Sequence, residues 1–497
     1  MKYKDLREFI DHLRKLNEII TIEEPVKAKL EMTEFSKILI DSHGPACLFK
    51  NSVLDNGNSS DITVLANLFG TTKRIALALG LKDIKEIREL GLKLAKLKNP
   101  NIPKNLSGIL EFAGMFVSGF NMIPKIINTP PVHEIIINKD NVNLHNLPIW
   151  TCHSEDIAPL ITWGLVVTKG PSQSRQNLGI YRQQVIAKNK VIMRWLSVRG
   201  GALDYKKHCQ LFPNEPFPIS VVLGCDPATI LAAVLPIPDN MSEYQFAGLL
   251  RKTRTELAKC LLSNLQVPAY AEIVLEGFIY PNETALEGPY GDHTGYYNEQ
   301  ERFPVMTIEK ITHRNKPIYH STFTGKPIDE PAMLGLALNE LFVPIIQQQF
   351  PEIVDFYLPP EGCSYRIAIV SINKSYPGHA KKIMLGVWSF LNQFSYTKFI
   401  IVVDANINIR SWQDVMWAIS TKVDPKRDSL ILENTPIDYL DFASPLSGLG
   451  SKIGIDATDK IGAETTREWG REIKSDTNVK EKMQNLYNKV FESKNVK

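Results

Sequence analysis

Residues 177–197 read NLGIYRQQVIAKNKVIMRWLS. Apolar, β-branched and aromatic residues fill both arms, and Lys188-Asn189-Lys190 between them is a polar run short enough for a tight turn. The stretch therefore reads as a β-hairpin, 177–187 against 191–196. If the first arm is one continuous strand, alternation puts Ile180 and Arg182 on one face and Tyr181 and Gln183 on the other. Similar runs lie at 132–138, 161–169, 216–224, 269–277, 303–312 and 317–323, with turn signals between them. Many short strands in succession predict an antiparallel sheet or split β-barrel over 126–328. One helix interrupts it at Ser242, whose hydroxyl suits an N-cap ahead of Phe246, Leu249, Leu250 and Leu257.

On either side the texture changes. Residues 1–125 alternate helical patterns with short apolar strands such as 62–65, and a basic helix over 82–98 precedes a proline-containing loop at 99–104. The opening helix spaces Leu6, Phe9, Ile10, Leu13 and Leu16 among charges and lacks the apolar centre of a signal peptide. Residues 329–497 alternate helix (331–350, 378–391, 411–419) with strand (365–372, 398–403, 429–433), the pattern of a small parallel sheet, and end in a polar helical tail. The expected class is α/β (α+β), with a central split barrel flanked by two α/β domains. Its divisions are 1–125, 126–328 and 329–497, and 497 residues at about 150 per domain agree with three.

Composition excludes several functions. Hydrophobic residues at 44% and charged ones at 22% exclude disorder. The 57 Lys and Arg against 54 Asp and Glu leave a net charge of +3, which makes no case for nucleic acid. No uncharged apolar run reaches the roughly 18 residues of a membrane span. Six scattered cysteines without a C-x-x-C pair suit a reducing, cytoplasmic setting. Residues 109–127, apolar and aromatic around Glu111, read either as a core helix or as a lid that touches an apolar substrate tail or a membrane.

Chemistry can sit in three places. Arg182, Arg194 and Arg199, with Gly200-Gly201, suit an anionic ligand, because glycines admit close backbone approach. Residues 287–297, EGPYGDHTGYY, hold Glu287 and Asp292 five residues apart in a Gly/Pro-rich loop. Paired carboxylates can split their pKa values, as a general acid requires. Glu243 is either a first-turn carboxylate favoured by the helix dipole or a metal ligand. Ordinary surface arginines and a polar turn explain the same residues. Residues 447–454 are glycine-rich but lack a dinucleotide frame, and 70–73 lack that of a phosphate loop. His293, His320 and His379 read as hydrogen-bonding histidines.

Taken together, longer words identify a resemblance: the hairpin itself, RGGALDY, PDNMSEYQFAGLLR, AEIVLEG, EGPYGDHTGYYNE, YHSTFTGKPIDEP, PEIVDFYLPPEGCSYR, GHAKKIMLGVWSFL, TKFIIVVD and NTPIDYLDFASPLSGLGSKIGIDAT. In this order they resemble the UbiD family of decarboxylases over essentially the whole chain. The resemblance implies non-oxidative conversion of a 3-polyprenyl-4-hydroxybenzoate to a 2-polyprenylphenol in ubiquinone biosynthesis. The implied cofactor is prenylated FMN, supplied by a partner flavin prenyltransferase and held with Mn2+ and K+. The implied metal ligands are Asn177 and Glu243. Ile180, Tyr181, Arg182, Arg194, Trp195, Leu196, Arg199 and Gly200 match the cofactor-contacting stretches, with Leu235 a further candidate. Arg182, Glu287 and Asp292 match the catalytic network, and Asp292 the proton donor. On this reading Glu287 stays ionised beside Arg182, while burial and Glu287 raise Asp292 from about 4 towards neutrality. A homo-oligomer, a hexamer in particular, and peripheral membrane contact are also implied. Val198 departs from the pattern, because many members carry a metal-binding histidine there. Two alternatives are a UbiD-like decarboxylase of another aromatic or cinnamic-type acid, and a flavin-binding protein that does not decarboxylate.

Overall fold

The computed structural model describes residues 3–98, 119–171, 173–196, 200–234, 241–390, 392–473 and 475–492. The chain is a mixed α/β protein, and its described residues form several sheets and no closed barrel.

The predicted hairpin forms: Gln183–Ala187 pairs with Lys190–Met193, Gln183 opposite Met193 and Val185 opposite Val191. It belongs to a nine-stranded antiparallel sheet. The path runs Leu160–Ile161, Gln183–Ala187, Lys190–Met193, Glu301–His313, Ile273–Glu287, Phe217–Leu223, Leu165–Thr168, Asn177–Ile180, with Ile135–Asn138 added on Glu301–His313. The ladder is open. Yet segments adjacent in sequence lie at opposite ends of it. Asn177–Ile180 passes through Tyr181-Arg182 into Gln183–Ala187, and three residue steps span at most about 11 Å. The sheet must therefore roll until its two ends lie side by side. At that seam the Tyr181 N–H donates to the Gly164 carbonyl at 3.4 Å.

This corrects the single strand expected over 177–187. Asn177–Ile180 bonds to Leu165–Thr168, whereas Gln183–Ala187 bonds to Lys190–Met193 and Leu160–Ile161. One strand cannot serve both ends, so it breaks at Tyr181-Arg182, and strand alternation does not carry across the break. Leu178, Val185, Val191, Ile192, Met193 and Trp195 are buried, which is why this sequence is so apolar.

Besides a three-stranded sheet of Gln266–Pro268, Glu256–Lys259 and Lys125–Ile126, two five-stranded sheets flank the rolled one. The first joins Ile19–Lys27, Ala46–Val53, Thr63–Ala66 and Ser59–Ser60, and it recruits Ile318–His320 in parallel with Thr63–Ala66. The expected strand at 317–323 therefore belongs to this sheet and not to the central one. Helix Leu6–Lys15, capped by Asp5, buries Leu6, Phe9, Ile10 and Leu13 against it, while Leu16 stays exposed. The other orders Ile353–Tyr357, Ile367–Ile372, Phe399–Asp404, Leu449–Ala457 and Ser429–Pro436. Its three inner strands are parallel, as the alternation predicted. The third inner strand, Leu449–Ala457, takes in most of the glycine-rich run 447–454. Gly454 has space only for hydrogen, because a Cβ there would meet Met384 Sδ at 2.4 Å.

Helix Thr477–Glu492 closes the described chain, with Met483, Leu486, Tyr487 and Val490 exposed. Among the described residues no helix is long and apolar enough to cross a membrane. Most of the apolar 109–127 segment lies outside the described residues; Phe120 and Ile123, at its described end, are exposed.

Candidate active site

The break at Tyr181-Arg182 releases Arg182 from the ladder at the seam, and its guanidinium gathers the site. Nε and Nη2 donate to Glu287 Oε1 and Oε2 at 2.7 and 3.1 Å. Nη1 donates to Asp292 Oδ2 at 2.9 Å, and Nη2 also donates to Asn298 Oδ1 at 2.8 Å. Glu287 is fully buried and ends strand Ile273–Glu287, so it is a strand residue and not the loop residue expected. Gly288 follows with φ +89°, a turn that an L side chain resists, and its N–H is held by Gln184 Oε1 at 2.9 Å. The loop then returns Asp292 to Arg182. Arg194 stands behind, with Nε 3.4 Å from Glu287 Oε2, and Nη1 3.9 Å from Asp292 Oδ2. Arg182, Arg194, Glu287 and Asp292 thus meet in one place, although more than a hundred residues separate Arg182 from Glu287.

The protonation of Asp292 differs from the expectation. Burial alone raises a carboxyl, but a hydrogen bond from His293 and the charges of Arg182, His293 and Arg194 outweigh it. They hold Asp292 well below the usual carboxylate range, the reverse of a rise towards neutrality. His293 supplies both its backbone N–H, at 2.6 Å, and Nδ1, at 2.5 Å, to Asp292 Oδ1. Burial lowers this imidazole, yet the bond and the charge of Asp292 raise it overall. His293 is hydrogen-bonding, as read from the sequence, but at the centre of the site. His379 bonds Glu352, and His320 is buried and held neutral by burial, with Nε2 enclosed and unpartnered.

A second cluster lies around the neighbouring strand Asn177–Ile180. Glu243 begins helix Glu243–Arg251 behind the Ser242 cap, as predicted, and its Oε2 accepts from the Leu178 N–H at 3.1 Å. Burial pushes its carboxyl up to about 7 against that bond, its own N–H and the charge of Arg175. Beside it is Asn177, whose Nδ2 is enclosed without a partner. Gly200 opens helix Gly200–Leu211, so the glycine pair is a helix start and not a free loop. A Cβ at Gly200 would lie 2.1 Å from Asn177 Oδ1, and one at Gly201 would meet the Trp195 indole at 2.9 Å. Gly201 N–H donates to the Tyr181 hydroxyl at 3.3 Å, and the Tyr181 ring packs edge-on to Trp195. Ile180 is half-buried in the adjoining core, and Leu196 is half-buried after Trp195. Arg199, Val198 and Leu235 lie outside the described residues.

A buried carboxylate beside an asparagine amide, with no cationic side chain bonded to it, fits a divalent cation. Among the described residues no three His, Cys, Asp or Glu side chains form a metal-binding group. From Asn177 to Arg182 the chain advances at most about 18 Å.

Three site residues escaped sequence reasoning. Asn298 bridges Arg182 and the Tyr290 N–H. Tyr290 lies under the Arg182 guanidinium at 5.5 Å. Tyr439 comes from the third sheet's margin; its ring sits 5.4 Å from the Arg194 guanidinium and its hydroxyl is enclosed without a partner.

Three family models match in succession. They are described as the N-terminal (residues 10–94), Rift-related (125–327) and C-terminal (332–457) domains of 3-octaprenyl-4-hydroxybenzoate carboxy-lyase. Fold and site together define a carboxy-lyase, an enzyme that releases CO2. The chain belongs to the UbiD family. It is similar to the closed form of Sedimentibacter hydroxybenzoicus vanillic acid decarboxylase, at 27% identity over 99% of each chain and a TM-score of 0.81. It is also similar to the UbiD-class enzyme HmfF from Pelotomaculum thermopropionicum in complex with FMN, at 26% identity over 96% of this chain and 98% of that one, TM-score 0.79. The 3,4-dihydroxybenzoic acid decarboxylase of Enterobacter cloacae, at 21% identity over 97% and 100% and a TM-score of 0.77, shares the fold.

Proposed function

We propose that this carboxy-lyase removes CO2 from a 3-polyprenyl-4-hydroxybenzoate to give a 2-polyprenylphenol in ubiquinone biosynthesis, with prenylated FMN as cofactor. The observation that carries the reading is the Arg182 guanidinium bonded to both Glu287 and Asp292, together with buried Glu243 bonded to the Leu178 N–H next to half-buried Asn177. Similarity to HmfF, solved with FMN and, in an evolved dimeric form, with prenylated FMN, supports the cofactor.

We infer the following division of labour. Decarboxylation leaves an electron pair on a ring carbon, and the flavin, when bound, supplies the electron sink that no side chain can. Asn177 and Glu243 would hold a divalent cation, Mn2+, for the cofactor's phosphate, and K+ would be the second ion. Ile180, Tyr181, Arg182, Arg194, Trp195, Leu196, Arg199 and Gly200 would contact the flavin. Arg182 orients the substrate carboxylate and keeps the two acids in register. Asp292 delivers a proton to the carbon that loses CO2. The rolled sheet serves as a split barrel within domains at 1–125, 126–328 and 329–497. A flavin prenyltransferase supplies the cofactor, and the protein works as a homo-oligomer, a hexamer, in the cytoplasm with peripheral contact to the membrane that holds its substrate.

A second reading is decarboxylation of a smaller phenolic acid, which similarity to a vanillic acid decarboxylase favours. Holoenzyme given 3-prenyl-4-hydroxybenzoate, 4-hydroxybenzoate and vanillate separates the two by CO2 release. The proposal expects the prenylated acid to win; preference for vanillate replaces it with the second reading.

A further inference from the structure

We propose that His293 charges Asp292 with the proton it delivers, so that the pair forms a relay from solvent to the ring carbon. This rests on the reading of Asp292 as proton donor.

Both bonds to Asp292 Oδ1 come from His293, its backbone N–H and Nδ1, while Oδ2 is taken by Arg182. The Asp292 side chain is 8% exposed and the His293 side chain 25%, so the imidazole touches the buried acid on one side and solvent on the other. A donor ringed by two arginines rests as a carboxylate and has no proton of its own to give. It needs a neighbour that carries one near neutral pH, which imidazole does. The other groups facing His293 are Asp329 at the start of helix Glu330–Gln349, and Asp438 and Arg366 from the third sheet's edge. Arg366 and Asp438 stand 3.7 Å apart as an ion pair. The carboxylates among them favour the imidazolium and the Arg366 guanidinium opposes it, so the bond and charge of Asp292 are what raise His293 overall.

The step balances without a redox partner. The bond between ring carbon and carboxylate breaks, CO2 leaves, and the electron pair stays on the ring side. His293 Nδ1 passes its proton to Asp292, Asp292 passes a proton to the ring carbon, and the neutral imidazole recovers a proton from water. Turnover then falls as pH rises through the titration of His293.

The test compares wild type, His293→Gln, His293→Ala and Asp292→Asn as holoenzymes on 3-prenyl-4-hydroxybenzoate, with product deuteration in D2O followed across pH. Both His293 variants are expected to keep the flavin spectrum while kcat falls about ten-fold or more with little change in KM. The alkaline fall of kcat disappears, and added imidazole restores His293→Ala but not Asp292→Asn. Wild-type kcat and pH profile in His293→Gln would overturn the relay, as would a His293→Ala loss that imidazole leaves untouched. An active Asp292→Asn would instead remove the donor reading beneath it.

Discussion

Arg182 commits Nε and both terminal nitrogens to three side chains. A lysine cannot reproduce that fork. Arg182→Lys is therefore expected to retain flavin but lose turnover by about 10²-fold, read from kcat with the cofactor spectrum as control. Asp292→Asn is expected to lose turnover by about 10²-fold or more with flavin still bound. Asp292 also carries a pH signature. Its folded pKa is depressed, so its stabilising contribution is present above the unfolded value near 4 and is lost as pH falls through the folded one. Asp292→Asn should thus be less stable than wild type in urea at pH 7, and the gap should narrow below about pH 4. At this scale the sequence was only partly legible. The spacing of Glu287 and Asp292 marked an acid pair, but the charge state of Asp292 was misjudged because two distant arginines and the adjacent imidazole decide it. Asn298 and Tyr439 carry no local signal; their roles arise from contacts across 116 residues in one case and 245 in the other.

At the scale of elements, the hairpin, the Ser242 cap and the strand–helix alternation after 330 were all readable, because each rests on local periodicity or capping. The break at Tyr181-Arg182 was not. It arises where the two ends of a rolled sheet meet, and the apolar residues on either side look alike. The helix from Gly200 was missed for a similar reason, since glycines suggest a turn. Here they are small because Asn177 and Trp195 press against them. Gly200→Ala forces its methyl onto Asn177 Oδ1, so Asn177 must shift. Flavin uptake, measured as absorbance per protein after reconstitution, should fall about ten-fold or more, while circular dichroism stays near wild type.

Across the whole molecule, the site lies where the rolled sheet meets the third one. That sheet presents the amino-terminal edge of its parallel strands: Arg366 precedes Ile367–Ile372, and Asp438 and Tyr439 precede Leu449–Ala457. Its opposite edge, where open α/β sheets usually bind ligands, is filled by an ion network of Lys374, Lys460, Asp428 and Asp456. The alternation of elements predicted the sheet but not which edge faces the chemistry, because that depends on docking against a distant part of the chain. The net charge of +3 was equally silent, since arginines and carboxylates cancel within the site itself. The most direct measurement is labelled CO2 release from carboxyl-labelled 3-prenyl-4-hydroxybenzoate by protein co-produced with a flavin prenyltransferase, beside protein reconstituted with plain FMN. The account predicts release only with the prenylated flavin, and its loss in Glu287→Gln and Asp292→Asn. Equal release with plain FMN, or from both variants, would contradict it.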